Sequence, residues 1–165
     1  MLKWLGFAVI TAATSLTGNY FSVMLKSRLT SLKKMNYMID EIIMTLRFRS
    51  STVYEIVGQL REDERFAGFD FLEMISEGVP FRQSWSRAVR ERTPRGMTRN
   101  DAELLNEVGA RLGTSDAESQ INTLELQRAE LMSAISAAEA DYNKKAKLYR
   151  SMGVLAGAFI SIMLI

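Results

Sequence analysis

Three places in this 165-residue sequence hold residue types whose spacing could do chemistry. Asp40 with Glu41, and Asp101 with Glu103, are neighbouring carboxylates of the kind that exchange protons or hold a cation. The stretch VGARLGTSDAESQ, residues 108–120, combines two glycines, a Thr-Ser pair and an acidic run. That composition suits a phosphate-cradling loop, an acidic metal site or a joint between two helices. The partners that such chemistry needs are missing. Histidine and cysteine are both absent, which removes the commonest general base at neutral pH, the commonest metal ligand, thiolate zinc sites and a cysteine nucleophile. Neither Gly109 nor Gly113 is followed by Lys-Ser or Lys-Thr at phosphate-loop spacing. Acidic residues also occupy the place that a bound anion would need. A carboxylate-dependent hydrolase built on Asp101 and Asp116 is the one catalytic alternative. The residues favour an interaction protein that is not an enzyme, with no catalytic, cofactor-binding or metal set.

The joint has its own physical logic. Leu112 closes one helix, and Gly113 is free to take the left-handed conformation at its end. Ser115 is expected to cap the next helix, with Glu118 completing a capping box. Asp116 and Glu118 then lie in a first turn, where the helix dipole favours negative charge. Gly109, one turn before Gly113, lets a neighbouring helix approach. Capping does not require Gln120, which is left to bond across the turn or to face a partner.

The elements around the joint are arranged by a strong segregation that a mean hydropathy of −0.03 conceals. From Trp4 to Leu25 no residue is charged, with Lys3 before the run and Lys26 after it. Those 22 residues span about 33 Å at ~1.5 Å each, enough for a hydrocarbon core. After Arg150 the chain is uncharged and largely apolar to Ile165, so Tyr149 and a snorkelling Arg150 are needed to complete a second span. Alternatives for these ends are a cleaved leader at the N-terminus, or two buried core helices. Lys26, Arg28, Lys33 and Lys34 follow the first run, and Lys144, Lys145, Lys147 and Arg150 precede the second. The positive-inside rule therefore puts the middle of the chain in the cytoplasm and both ends across the membrane. Gly153, Gly157 and Ser161 form a small-residue seam in the second span, and Ala8 with Ala12 a similar one in the first. Such seams suit close packing within the chain or with a second copy.

Between the spans the periodicity is helical, with no convincing alternation of the strand kind. Leu32, Met35, Ile39, Ile42 and Leu46 stripe a long helix distinct from the first span. Thr52 with Glu55 opens a short helix carrying Val53, Ile56, Val57 and Leu60, and REDER (61–65) is a solvated end and turn. Phe66, Phe69, Phe71, Leu72 and Ile75 predict a short, densely buried helix ended by Gly78. Pro80 starts another, with Phe81, Trp85, Ala88 and Val89 on one face and Trp85 as a core anchor. RERTPRGMTR (90–99) reads as a linker, or as a basic contact surface in which Arg92, Arg95 and Arg99 meet an acidic partner or lipid headgroups. Thr98 with Asp101 caps a helix faced by Leu104, Leu105, Val108 and Leu112. Asp101 and Glu103, like Asp40 and Glu41, are expected on solvated helix surface. From Ile121 through Leu124, Leu131, Ile135, Ala138 and Tyr142 a near-heptad seam, interrupted by Arg128, runs unbroken towards the second span. The resulting organisation is all-α: an N-terminal span at 1–28, a cytoplasmic bundle of about six helices at 29–147, and a C-terminal span at 148–165. A formal charge of +2 gives no footing for nucleic acid.

In this order the parts resemble the stage III sporulation protein AB family of endospore-forming bacteria over essentially the full length. The resemblance is carried by MLKWLG and its apolar run, MIDEI (38–42), EGVPFRQSWSRAV (77–89), EVGARLGTSDAESQ (107–120) and the closing apolar segment. Gly109, Leu112, Gly113, Asp116 and Gln120 form its most specific pattern, supported by Gly78 with Trp85. The resemblance implies a fold similar to the cytoplasmic domains of the platform proteins of type II secretion and type IV pilus systems. It also implies a place in the mother-cell membrane, within the channel joining mother cell and forespore, beside a secretion-type ATPase of the same operon and other channel membrane proteins. On that basis the expected role is a platform that docks the ATPase. The alternative is a small membrane scaffold or receptor that binds lipid headgroups or another partner through its arginine-rich loop.

Overall fold

Two helices of equal length organise the molecule. In the computed structural model the backbone is described for residues 2–49 and 51–163, and side chains for 12–49, 51–149, 151–153, 155, 156 and 159. The first helix, α1 (Leu2–Phe48), and the last, α5 (Ala117–Met163), have 47 residues each, or about 70 Å at ~1.5 Å per residue. Their mutual contact is the largest interface in the fold. They run antiparallel: Gly18 meets Tyr149 and Gly153, Lys33 meets Glu139, Asp40 meets Arg128, and Arg47 meets Glu125. Those ion pairs are exposed, so each is worth roughly 0–1 kcal/mol, and their effect is on register more than on stability.

The expected break between the first span and the striped helix does not exist. No glycine or proline lies between residues 19 and 48, so the change from apolar to charged residues alters the surroundings of α1 and not its backbone. Gly18 is the one glycine in the described side chains of α1. A Cβ there would press on the Tyr149 carbonyl, and one on Gly153 would press on that of Thr14. Of the expected small-residue seams, Gly153 lies at a close contact, and its partner is Gly18, which the seams did not include. Gly153 packs on Gly18, Ser22 is fully buried one turn further on, and Ala12 is exposed. Ala8, Gly157 and Ser161 lie outside the residues whose side chains are described.

Three shorter helices close over one side of the hairpin: α2 (Val53–Glu62), α3 (Phe81–Glu91) and α4 (Arg99–Arg111). The described residues therefore form five α-helices and two single turns of 3-10 helix, with no strand. Each start has a local cause. Thr52 and Glu55 make the expected capping box, as do Thr98 and Asp101. Pro80 precedes Phe81, the first residue of α3. The predicted helix over 66–75 is replaced by the two 3-10 turns, Glu64–Phe66 and Asp70–Met74. Gly68 between them has φ +89°, which an α-helix cannot accommodate. Arg61 donates to the carbonyls of Leu72 and Ile75, both at 2.9 Å, and so satisfies backbone that the missing helix would have paired.

The core lies where the hairpin meets this cover. Leu32, Met35, Ile39 and Ile42 of α1 are fully buried against Ile56, Leu60, Phe71, Trp85, Leu105 and Leu124, whereas Leu46 is only half-buried. Arg128, which interrupts the seam of α5, reaches Asp40 at 2.6 Å and Asn36 at 3.2 Å, so the interruption is a polar clasp between the long helices. No helix among the described residues is long and apolar enough to cross a membrane.

Candidate interaction site

The α4–α5 joint is built from its own hydrogen bonds. Gly113 has φ +72° and its N–H donates to Gln120 Oε1 at 2.8 Å. Gln120 Nε2 donates back to the Ser115 carbonyl at 2.6 Å, and the side chain is buried. Gln120 therefore bonds across the turn. The cap differs from expectation: Asp116, and not Ser115, accepts the Ser119 N–H, at 2.9 Å, and α5 begins at Ala117. A carboxylate is the stronger acceptor at a helix start. The Ser119 amide holds the Asp116 carboxyl below its ordinary range. Gly113, Ser115, Asp116, Ser119 and Gln120 are thus engaged with one another, and the Asp116 carboxylate occupies the helix start that a phosphate would need.

Gly109 and Trp85 form a packing contact. A Cβ at residue 109 would run into the Trp85 ring, and the indole N–H donates to the Leu105 carbonyl at 3.0 Å. Phe71 and Phe81 flank the same ring at 5.2 and 5.7 Å. Trp85 is fully buried and acts as a core anchor. Gly78 takes no part in this contact. It is exposed with φ +97° and nothing close to its Cβ position, so a backbone turn is what it supplies.

Asp101 departs furthest from its expected setting. Glu103 is exposed and pairs with Arg99 at 3.1 Å, as a solvated surface residue does. Asp101 is 1% exposed. Both its oxygens bind the Arg28 guanidinium, at 2.7 and 2.9 Å, and one also accepts the Thr98 N–H at 2.8 Å. Burial pushes the carboxyl up, but the hydrogen bonds from Arg28 and Thr98 outweigh it, and the pKa lies below the usual carboxylate value. Asp101 is thus a charged clamp that joins the start of α4 to α1, unsuited to proton exchange at neutral pH. The pairing was hidden because 73 residues separate the two side chains, and Arg28 reads in sequence as one more juxtamembrane charge.

The arginine loop is no linker. Pro94 is buried, and the Arg95 carbonyl accepts from Ser27 Oγ at 3.2 Å and Ser31 Oγ at 2.8 Å. Gly96, at φ +83°, lies so close to the backbone of Ser27 and Arg28 that a Cβ would collide with it. The loop is fastened by its main chain while Arg92, Arg95 and Arg99 project outward. Of the three, Arg99 pairs with Glu103.

A second basic surface escaped the sequence reading. The outward face of α3 presents Arg82, Arg87 and Arg90 along an open cavity of about 920 Å³, floored by Met74, Ser84 and Val79. Arg87 pairs with Glu91, while Arg82 and Arg90 have no ionic partner among the described residues. The signal was present as three arginines, Arg82, Arg87 and Arg90, interleaved with the buried positions Ser84, Trp85, Ala88 and Val89 of one short helix. No group of three or more metal-ligating side chains occurs among the described residues.

The chain as a whole matches the family model for stage III sporulation protein AB over residues 3–165. It belongs to the stage III sporulation protein AB family. No curated protein and no solved structure is a match. Within this stage III sporulation protein the residues that carried the resemblance, Gly109, Leu112, Gly113, Asp116 and Gln120, build the Trp85 contact and the α4–α5 joint. Among the described residues, the α3 face and the margin of the arginine loop present arginines without ionic partners.

Proposed function

We propose that this stage III sporulation protein is a non-enzymatic membrane platform of the mother cell–forespore channel, which docks a secretion-type ATPase of the same operon. In this reading residues 1–28 and 148–165 span the mother-cell membrane, and the bundle at 29–147 lies in the cytoplasm. The observation that carries it is the continuity of α1 and α5. Each runs without a break from an apolar end into the packed bundle. At that end large apolar side chains face outward: Leu16, Tyr20, Phe21 and Val23 on α1, and Leu148, Met152, Leu155 and Phe159 on α5. A contiguous outward apolar surface marks a membrane or protein contact, and basic residues border it on both helices.

The face assigned to the ATPase is that of α3. Guanidinium groups on a firmly packed helix suit the carboxylates of a protein partner, and such pairing governs recognition and encounter rate. Co-purification of the detergent-solubilised full chain with the ATPase is the test. The double variant Arg82→Gln/Arg90→Gln is expected to weaken it by about tenfold or more, the order of two charge-assisted contacts. Absence of binding by the unaltered chain overturns the docking role. The topology is tested separately by single cysteines, which the native chain lacks. Lys3→Cys is expected to react with an impermeant reagent only from the outer side, and Arg111→Cys only from the cytoplasmic side.

A further inference from the structure

A small basic pocket lies at the foot of the N-terminal apolar segment, on the side of α1 away from Arg28 and Asp101. It encloses about 290 Å³ and is lined by Lys26, Ser27, Thr30, Ser31 and Lys34 of α1, by Arg95 of the loop, and by the turn at 67–69. No carboxylate lines it. Its walls are fixed by the main chain: the Arg95 carbonyl accepts from Ser27 and Ser31, and Lys34 Nζ donates to the Ala67 carbonyl at 2.5 Å. These bonds use the hydroxyl protons of Ser27 and Ser31. The ammonium of Lys26, the guanidinium of Arg95 and the Thr30 hydroxyl have no hydrogen-bonding or ionic partner among the described residues. Three cations and a hydroxyl around one small volume make a donor set for phosphate oxygens.

What selects the source of the phosphate is the register of α1. Residues 16, 20, 23, 27, 30 and 34 alternate in steps of four and three, which places them on one face of the helix. The outer half of that face is Leu16, Tyr20 and Val23, which are 69%, 57% and 42% exposed. The inner half is the pocket. An exposed apolar track that runs straight into a carboxylate-free basic pocket matches an amphiphile whose anionic head adjoins a hydrocarbon chain.

We propose that this pocket binds the phosphate of an anionic phospholipid of the cytoplasmic leaflet, with an acyl chain lying along Leu16, Tyr20 and Val23. The proposal rests on the membrane-spanning reading of residues 1–28. The bound lipid joins α1 to the arginine loop at the membrane boundary, opposite the point where Arg28 and Asp101 join α1 to α4. It also gives Arg95 a role separate from docking of a protein partner.

The test uses the full chain, purified in mild detergent from membranes that contain phosphatidylglycerol and compared after reconstitution with phosphatidylcholine alone. Native mass spectrometry then counts the phospholipid retained. Retention of phosphatidylglycerol but not of phosphatidylcholine is expected. Lys26→Gln/Arg95→Gln is expected to lower retention by roughly thirty-fold, about fivefold for each basic side chain near anionic phosphates. Arg49→Gln/Arg111→Gln removes the same charge from exposed positions at the far end of the bundle and is expected to leave retention unchanged. Equal loss in both variants, or loss in neither, overturns the proposal. Displacement of the lipid by inorganic phosphate, or equal binding of inorganic phosphate to the delipidated chain, would show that the site takes the free ion and not a lipid. Val23→Ser is expected to reduce lipid retention without affecting inorganic phosphate. Release of the unaltered chain from membranes by alkaline carbonate would sink the spanning reading itself, independently of the lipid count.

Discussion

Replacing Asp101 with Asn leaves an oxygen for the Thr98 N–H but removes the charge that faces the Arg28 guanidinium. Loss of one partner from a buried ion pair costs about 3–5 kcal/mol, and Arg28 is partly solvated, so the lower end, about 3 kcal/mol, is expected. Thermal unfolding of the full chain in detergent, followed by circular dichroism, measures it. The pH dependence has a definite sign. The Asp101 pKa is depressed in the fold, so its contribution is complete above the unfolded value of about 3.9 and is lost as pH falls through the lower folded value. The unaltered protein is therefore expected to lose this part of its stability below about pH 4, and Asp101→Asn to show a flatter profile there. Gly109→Ala makes a different demand at the same scale. Its Cβ meets a buried indole held by the Leu105 carbonyl, and overpacking of about 1–3 kcal/mol is expected by the same measurement. Both capping boxes were legible in sequence, because a cap is settled within four residues. The Arg28 clamp was not, since nothing in the local pattern of either residue refers to the other. The cap at Asp116 was misplaced by one residue because Ser115 and Asp116 both suit the role, and the choice falls to the stronger acceptor.

Each long helix gains its direction from the other. Gly18 and Gly153 allow the two backbones to touch, and Gly18→Val would force a branched side chain onto the Tyr149 carbonyl. The variant is expected to lower the unfolding temperature of the hairpin in detergent, by a free energy of about 1–3 kcal/mol as for other overpacked sites. A neighbouring substitution of the exposed Asn19 with Val serves as the comparison and is expected to be near neutral. At the α4–α5 joint, Gln120→Ala removes the acceptor of the Gly113 N–H and the donor to Ser115. Faster hydrogen exchange at the Gly113 amide is expected, with a stability loss of about 1–2 kcal/mol. Sequence periodicity identified the core faces of these elements because burial and spacing go together in a helix. It separated α1 into two helices because it follows solvent and not backbone. It also drew one helix through 66–75 because closely spaced phenylalanines fill a core equally well from 3-10 turns around Gly68.

On the scale of the whole molecule, the fold is a hairpin with its cover on one side, and the organisation follows from two long helices that the chain makes first and last. An all-helical domain with apolar ends was readable from helical periodicity and from where the charges stop along the sequence. The antiparallel alignment was not, as it depends on pairs such as Lys33–Glu139 that lie 106 residues apart. A thiol cross-linker bridging Lys33→Cys to Glu139→Cys, but not Lys33→Cys to Glu118→Cys, is the expected result for this alignment. The same arrangement has a consequence for synthesis. Helical domains commonly fold fast because their contacts are local, yet here the main interface joins the opening helix to the closing one. The core face of α1, with Leu32, Met35, Ile39 and Ile42, therefore lacks its principal partner until α5 has left the ribosome. During that interval the nascent chain exposes a long apolar stripe, and the hairpin closes only after α5 has been translated.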